Sequence, residues 1–139
     1  MSDIQAALGT AGAAHLYTAP DGKAYPVGYL TQAAKARFER WLKGEASAAL
    51  AQYREADPAG WKQLAADYAR DCAAGEFCFH GALAARARAT PAGSLALAAI
   101  LFDLPLEETV RLALADADGV TAALAVVLAE SSHEADRPN

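Results

Sequence analysis

Three observations predict a mostly α fold, a small helical bundle with a short N-terminal β-hairpin. Alanine supplies roughly a quarter of the chain, and alanine is the strongest helix former and lets helices approach closely. Helix-start signals of the cap-then-proline type recur at Asp57-Pro58 and Thr90-Pro91, where the side chain caps and proline occupies the first helical position. Apolar residues recur at helical spacing from Leu30 onward, and a period-two stretch lies before them, around Pro20-Asp21-Gly22. At 139 residues the chain is long enough to bury a core without staples. Its large apolar side chains are few beside its alanines, so the expected core is thin and gathered around a few aromatic rings.

The domain boundaries read as a flexible arm over 1–14, a single helical domain over 15–130 with its hairpin at 15–30, and a polar, disordered tail over 131–139. In the hairpin, Pro20 presets φ and Gly22 takes the left-handed position of the turn. Leu16 and Tyr17 precede it, and Tyr25, Val27 and Tyr29 alternate after it. Pro26 cannot donate to a ladder and favours an edge. Two strands alone are marginal in water, so the hairpin must lie on a helix or join another sheet.

Thr31 caps the first helix. Leu30, Ala34, Phe38, Trp41, Leu42, Ala46, Ala49, Leu50 and Tyr53 form its apolar stripe, with Gly44 as the expected kink or break. The second helix starts at Asp57-Pro58, carries Trp61, Leu64, Ala65, Tyr68 and Cys72 on one face, and ends at Gly75. An antiparallel pair of these helices is expected to bring Phe38 and Trp41 to Trp61 and Tyr68. GEFCFHG, residues 75–81, reads as a short extended segment or a buried loop, followed by a short helix over 82–89. Thr90-Pro91 opens an apolar helix through Phe102. Pro105 with Glu107 and Glu108 opens the next, where negative charge suits the helix N-terminus. Asp116 to Gly119 breaks it, and a last helix runs from Val120 to Glu130, apolar nearly all round. Helices apolar on most faces either sit inside a bundle or meet a partner.

The formal charge of −5 argues against a nucleic-acid surface, which is usually basic. From Asp103 onward there are eight acidic residues against Arg111 and Arg137, which points to a solvated acidic end. The helix–turn–helix-like stretch from Ala96 to Leu114 carries one cation behind Glu107 and Glu108, the wrong charge for a recognition helix. The chain opens Met1-Ser2-Asp3-Ile4 without a basic or apolar leader, and no apolar run reaches bilayer length. The expectation is a cytoplasmic protein with Cys72 and Cys78 reduced and no membrane partner.

No site of chemistry emerges. Cys72, Cys78 and His80, with His15 as a fourth ligand, match no zinc spacing, and cysteines on an apolar helix face and between two phenylalanines are expected to be packed. A Cys78–His80 nucleophile pair lacks a third group to orient the base. Glu107–Glu108 and Asp116–Asp118 are explained by helix ends and turns. The expected catalytic, metal and cofactor sets are empty, and the protein is read as no enzyme.

The layout GKAYPVGYLTQAAKARFERWLKGEA, with Tyr25, Leu30, Thr31, Phe38, Glu39, Trp41 and Leu42, resembles the opening of small tailed-phage proteins encoded near the tape-measure gene. GEFCFHGALAARARATPAGSLALAAILF is similar to a later element of that group. The resemblance spans roughly residues 22–130 and is to phage tail assembly chaperones. It implies a non-enzymatic morphogenesis protein in the host cytoplasm. Such a protein binds the apolar helices of the tape-measure protein or another tail protein, and homo-oligomerisation is possible. Leu97, Leu101, Leu124 and Leu128 are the expected partner contacts, since apolar grooves receive partner helices. The alternative is a structural virion component such as a head–tail connector or minor tail protein.

Overall fold

The computed structural model describes residues 13–135. Among them the protein is mostly α, with six helices and a two-stranded antiparallel hairpin. The order is β1 (Ala13–Thr18), β2 (Ala24–Gly28), α1 (Gln32–Ala56), α2 (Pro58–Ala73), α3 (Ala82–Arg88), α4 (Pro91–Phe102), α5 (Leu106–Ala115) and α6 (Ala117–Ala135). The expected N-terminal arm lies outside the described residues except for Ala13 and Ala14, which open β1. The expected tail lies outside them from residue 136, and its first five residues continue the backbone of α6. The chain forms two compact units: residues up to Ala34 with those from Leu95 onward, and Lys35–Ser94.

In the first unit the hairpin closes as the turn chemistry requires. Gly22 donates its N–H to Ala19 at 2.9 Å, Ala19 donates to Lys23 at 2.8 Å, and the Asp21 carboxylate accepts the Lys23 N–H at 3.0 Å. Gly22 has φ +89°, a conformation that suits glycine and ends a three-residue hairpin loop. Tyr17 pairs with Tyr25 and His15 with Val27. Period two puts all four on one face, where Tyr17 and Val27 are buried. Helix α6 packs against both strands, the cover that two isolated strands need. Val120, Ala123 and Val127 are the buried residues of α6, one stripe at helical spacing. The break between α5 and α6 is a single residue. Asp116 accepts the Gly119 N–H at 3.1 Å and so caps α6; the helix therefore begins at Ala117, three residues before the position expected from the sequence.

Helix α4 is buried on most sides, through Ala96, Leu97, Ala98, Ala99, Leu101 and Phe102. It ends in a 6→1, 5→2 cap: Leu104 donates to Ala99 at 3.1 Å and Asp103 to Ile100 at 3.2 Å. Asp103 supplies the left-handed residue with φ +53°, a place usually given to glycine.

In Lys35–Ser94, the long helix α1 runs through Gly44 without a break. Gly44 is exposed and a Cβ there would meet nothing within 4 Å, so only its helix propensity opposes continuity, about 1 kcal/mol. The N-terminus of α1 is capped by Thr31, whose hydroxyl accepts the Ala34 N–H at 3.1 Å. Asp57 caps α2 through the Gly60 N–H at 3.1 Å, with Pro58 as the first helical residue. At its far end Glu76 donates to Asp71 at 3.0 Å and Gly75, with φ +77°, to Cys72 at 3.2 Å. This is a Schellman cap with glycine in the left-handed position. Thr90 caps α4 through the Gly93 N–H at 3.1 Å.

The aromatic packing differs from the expected cluster. Phe38 is fully buried and meets Phe79 edge-on at 5.7 Å and Trp41 at 5.5 Å. Tyr68 meets Phe77 at 5.2 Å, and Trp61 lies under the Arg54 guanidinium at 5.0 Å. The 75–81 loop thus supplies the core rings. Phe77 and Phe79 are buried while Cys78 and His80 face outward. Phe79 is held on several sides: its N–H donates to Glu39 Oε1 at 2.7 Å, its carbonyl accepts from Arg88 Nη2 at 3.1 Å, and the Arg88 guanidinium stacks 4.1 Å from its ring centroid. Burial lowers the Arg88 pKa, and its Nε is buried without a hydrogen-bond partner.

Candidate interaction surfaces

The candidate chemical residues are dispersed or already occupied. Among the described residues no group of three His, Cys, Asp or Glu side chains is placed to hold a metal. Cys72 is half-buried and Cys78 exposed, which corrects the expectation that both are packed: the loop turns its two rings inward and therefore turns Cys78 out. Asp116, read as part of a turn, is a hinge of the fold. Besides capping α6 it accepts the Tyr17 hydroxyl at 2.8 Å, across 99 residues of sequence. Burial pushes the Tyr17 pKa up to about 12, with the hydrogen bond to Asp116 and the charge of that carboxylate adding to the shift. Tyr17 also meets Phe102 edge-on at 5.7 Å. Glu108 pairs with Arg111 one turn along α5.

The four expected partner contacts separate into two kinds. Leu97 and Leu101 are 5 % and 3 % exposed, so in this fold they are core residues of α4 and present no surface. Leu124 and Leu128 lie half-buried on α6. The outward face of α6 holds Thr121, Ala122, Ala125, Val126 and Ala129, all exposed, and no charged residue occurs between Val120 and Ala129. On α5, Leu106 and Leu114 are 49 % and 83 % exposed. Near it in sequence are Glu107 and Glu108 at the start of α5, Asp118 and Glu130 on α6, and the exposed Arg111, which pairs with Glu108. Leu114 was not singled out by the sequence, because its spacing on α5 does not separate it from its half-buried neighbours.

A second apolar surface lies in Lys35–Ser94. A groove of about 300 Å³ runs between α1 and α2, lined by Ala46, Ala49, Leu50, Tyr53, Leu64 and Tyr68, with Phe77 below and Asp67 and Asp71 on its rim. No residue of α2 is buried, so the Trp61–Cys72 face covers the apolar stripe of α1 only in part. No single helix among the described residues is long and apolar enough to cross a membrane; α5 and α6 reach that composition only as a pair bent by 116°.

Comparison with protein-family models, with curated proteins and with solved structures finds no match to this chain.

Proposed function

We propose that this chain is a non-enzymatic phage morphogenesis protein of the tail assembly chaperone kind, and that it holds apolar helices of the tape-measure protein soluble in the host cytoplasm. The observation that carries the reading is the outward face of α5 and α6. Leu114 stands 83 % exposed on α5 and Val126 40 % exposed on α6, and α6 carries no charge from Val120 to Ala129. An isolated exposed leucine needs no explanation, whereas an uncharged helix face beside it marks an interaction surface. Leu124 and Leu128 flank that face and extend it. Leu97 and Leu101 are buried and take no part in it.

Such a face suits a transient client. It is mostly alanine, so it offers little area of its own and gains affinity only from a partner with large apolar side chains. The excess of carboxylates near it in sequence favours a client whose polar residues are basic. Co-expression with the tape-measure protein and pull-down on this chain should recover a complex and raise tape-measure solubility. Recovery of neither would remove the proposal. Mass spectrometry of purified particles separates a chaperone, which leaves before maturation, from a structural virion component, which is present in every particle.

A further inference from the structure

The groove between α1 and α2 is distinct from the α5–α6 face, and nothing in the proposed function depends on it. Its character follows from how burial fades along α1. At the start of the apolar stripe Ala34 and Phe38 are buried; further on Ala46 and Leu50 are half-buried, and Tyr53 is 44 % exposed. Across the groove, Leu64 is 39 % exposed and Tyr68 half-buried. Two helices whose facing stripes are amphipathic have met, yet the second buries none of its sixteen residues. The space left over is large enough for one or two side chains and is bounded by two tyrosines, Phe77 and Leu64.

The rim decides what enters. Asp67 and Asp71 stand one turn apart on α2 at the edge of the groove. Asp67 accepts from Gln63 Nε2 at 3.0 Å and is paired with Arg70 Nη2 at 2.8 Å, so the net negative charge at the groove is that of Asp71. Tyrosine faces and carboxylates together attract a cation on an aliphatic stem. A second copy of this chain is disfavoured as occupant, because a two-fold axis through the groove would set Asp71 against its own mate.

We propose that this groove docks a basic amphipathic helix from a partner protein. A large apolar side chain of that helix fills the space between Leu50 and Leu64, and a lysine or arginine further along it reaches Asp71 beside the Tyr68 ring. The recognition is helix-in-groove, with apolar anchors for affinity and one charge pair for register.

The test uses the full chain and two synthetic helical peptides of matched length, one of leucine and lysine and one of leucine and glutamate, with fluorescence anisotropy as the readout. Measured on the full chain carrying Leu114→Glu and Val126→Glu, which disable the α5–α6 face, the leucine–lysine peptide should bind at one-to-one stoichiometry. Leu64→Glu should weaken it at least tenfold and Asp71→Asn several-fold, while Asp21→Asn, which removes an equal charge in the exposed hairpin turn, should change it less than twofold. The leucine–glutamate peptide should bind at least tenfold more weakly than its basic counterpart. Leu64 lies on a helix without buried residues, so its substitution preserves the fold, and circular dichroism of each variant checks this. Equal binding of the two peptides would overturn the proposal, as would indifference to Leu64→Glu. Sedimentation that shows a dimer abolished by Leu64→Glu would overturn it as well, since the groove would then belong to a second copy.

Discussion

Asp116 joins two roles in one carboxylate, and its removal gives the sharpest test of how the first unit is held. One oxygen caps α6 through the Gly119 N–H and the other accepts the Tyr17 hydroxyl at 2.8 Å. Loss of an aspartate cap costs about 1 kcal/mol. Loss of a hydrogen bond to a charged group, with the hydroxyl of the buried Tyr17 left unpaired, costs about 1.5–3 kcal/mol. Asp116→Ala should therefore destabilise the protein by about 2.5–4 kcal/mol. Asp116→Asn keeps one acceptor oxygen, for the Gly119 N–H, and turns its amide NH2 to the Tyr17 oxygen, which can accept; it should cost less than Asp116→Ala, about 1 kcal/mol. Tyr17→Phe removes the hydroxyl and spares the cap, so the double variant should reveal a coupling of about 1–2 kcal/mol. Both tryptophans lie in Lys35–Ser94, so unfolding is best followed in urea by far-UV circular dichroism, with amide exchange at Gly119 reporting the cap. Val120 donates to the Asp116 carbonyl at 3.0 Å, and that bond survives the substitution as an internal control. If Asp116→Ala changes stability by less than about 0.5 kcal/mol and the cycle shows no coupling, the two-role account is wrong.

Other consequences are simpler. The Tyr17 pKa is raised in the fold, so its contribution to stability is complete below about pH 10, the ordinary tyrosine value, and is lost as pH climbs towards about 12. Tyr17→Phe should flatten that alkaline loss in a pH series of urea melts, and an unchanged slope would assign it to other groups. A Cβ at Gly93 would stand 1.8 Å from the Ala87 carbonyl oxygen; Gly93→Ala should cost more than about 2 kcal/mol by prying α3 from the start of α4. Gly75→Ala, at φ +77° in open surroundings, should cost only about 1 kcal/mol, and calorimetry of the two variants gives the order. Native thiol labelling should modify Cys78 rapidly and Cys72 slowly, with Cys78→Ser removing the fast phase. Slow labelling of both would mean that the loop packs as the sequence alone implies.

What the sequence revealed was whatever is decided within one turn of chain. Thr31, Asp57 and Thr90 announce their helices because a cap bonds an N–H three residues away. The Pro20-Asp21-Gly22 turn and the Gly75 helix end are equally local. One misreading is local, since the helix cost of Gly44, about 1 kcal/mol, does not break α1; most of the others turn on distant partners. Asp116 to Gly119 has the composition of a turn, and only the approach of Tyr17 and the cap geometry make Asp116 a helix start. Phe38 finds Phe79 because the 75–81 loop folds inward, an event with no periodicity to betray it. Cys78 is exposed for the same reason, since two inward phenylalanines force the residue between them out. Leu97 and Leu101 looked like surplus apolar surface, and α4 buries them on the inside. Leu114, the most exposed large apolar side chain described, was hidden in an ordinary amphipathic pattern.

The outward face of α5 and α6 is the surface proposed to bind an apolar client helix. The most direct measurement is the soluble yield of the tape-measure protein co-expressed with this chain or with its Leu114→Glu/Val126→Glu variant. Both side chains are exposed, so the variant should fold with an unchanged circular dichroism spectrum. The account predicts that the wild-type chain raises the soluble yield and that the variant loses most of the gain. A folded variant that protects the tape-measure protein as well as the wild-type chain would contradict it.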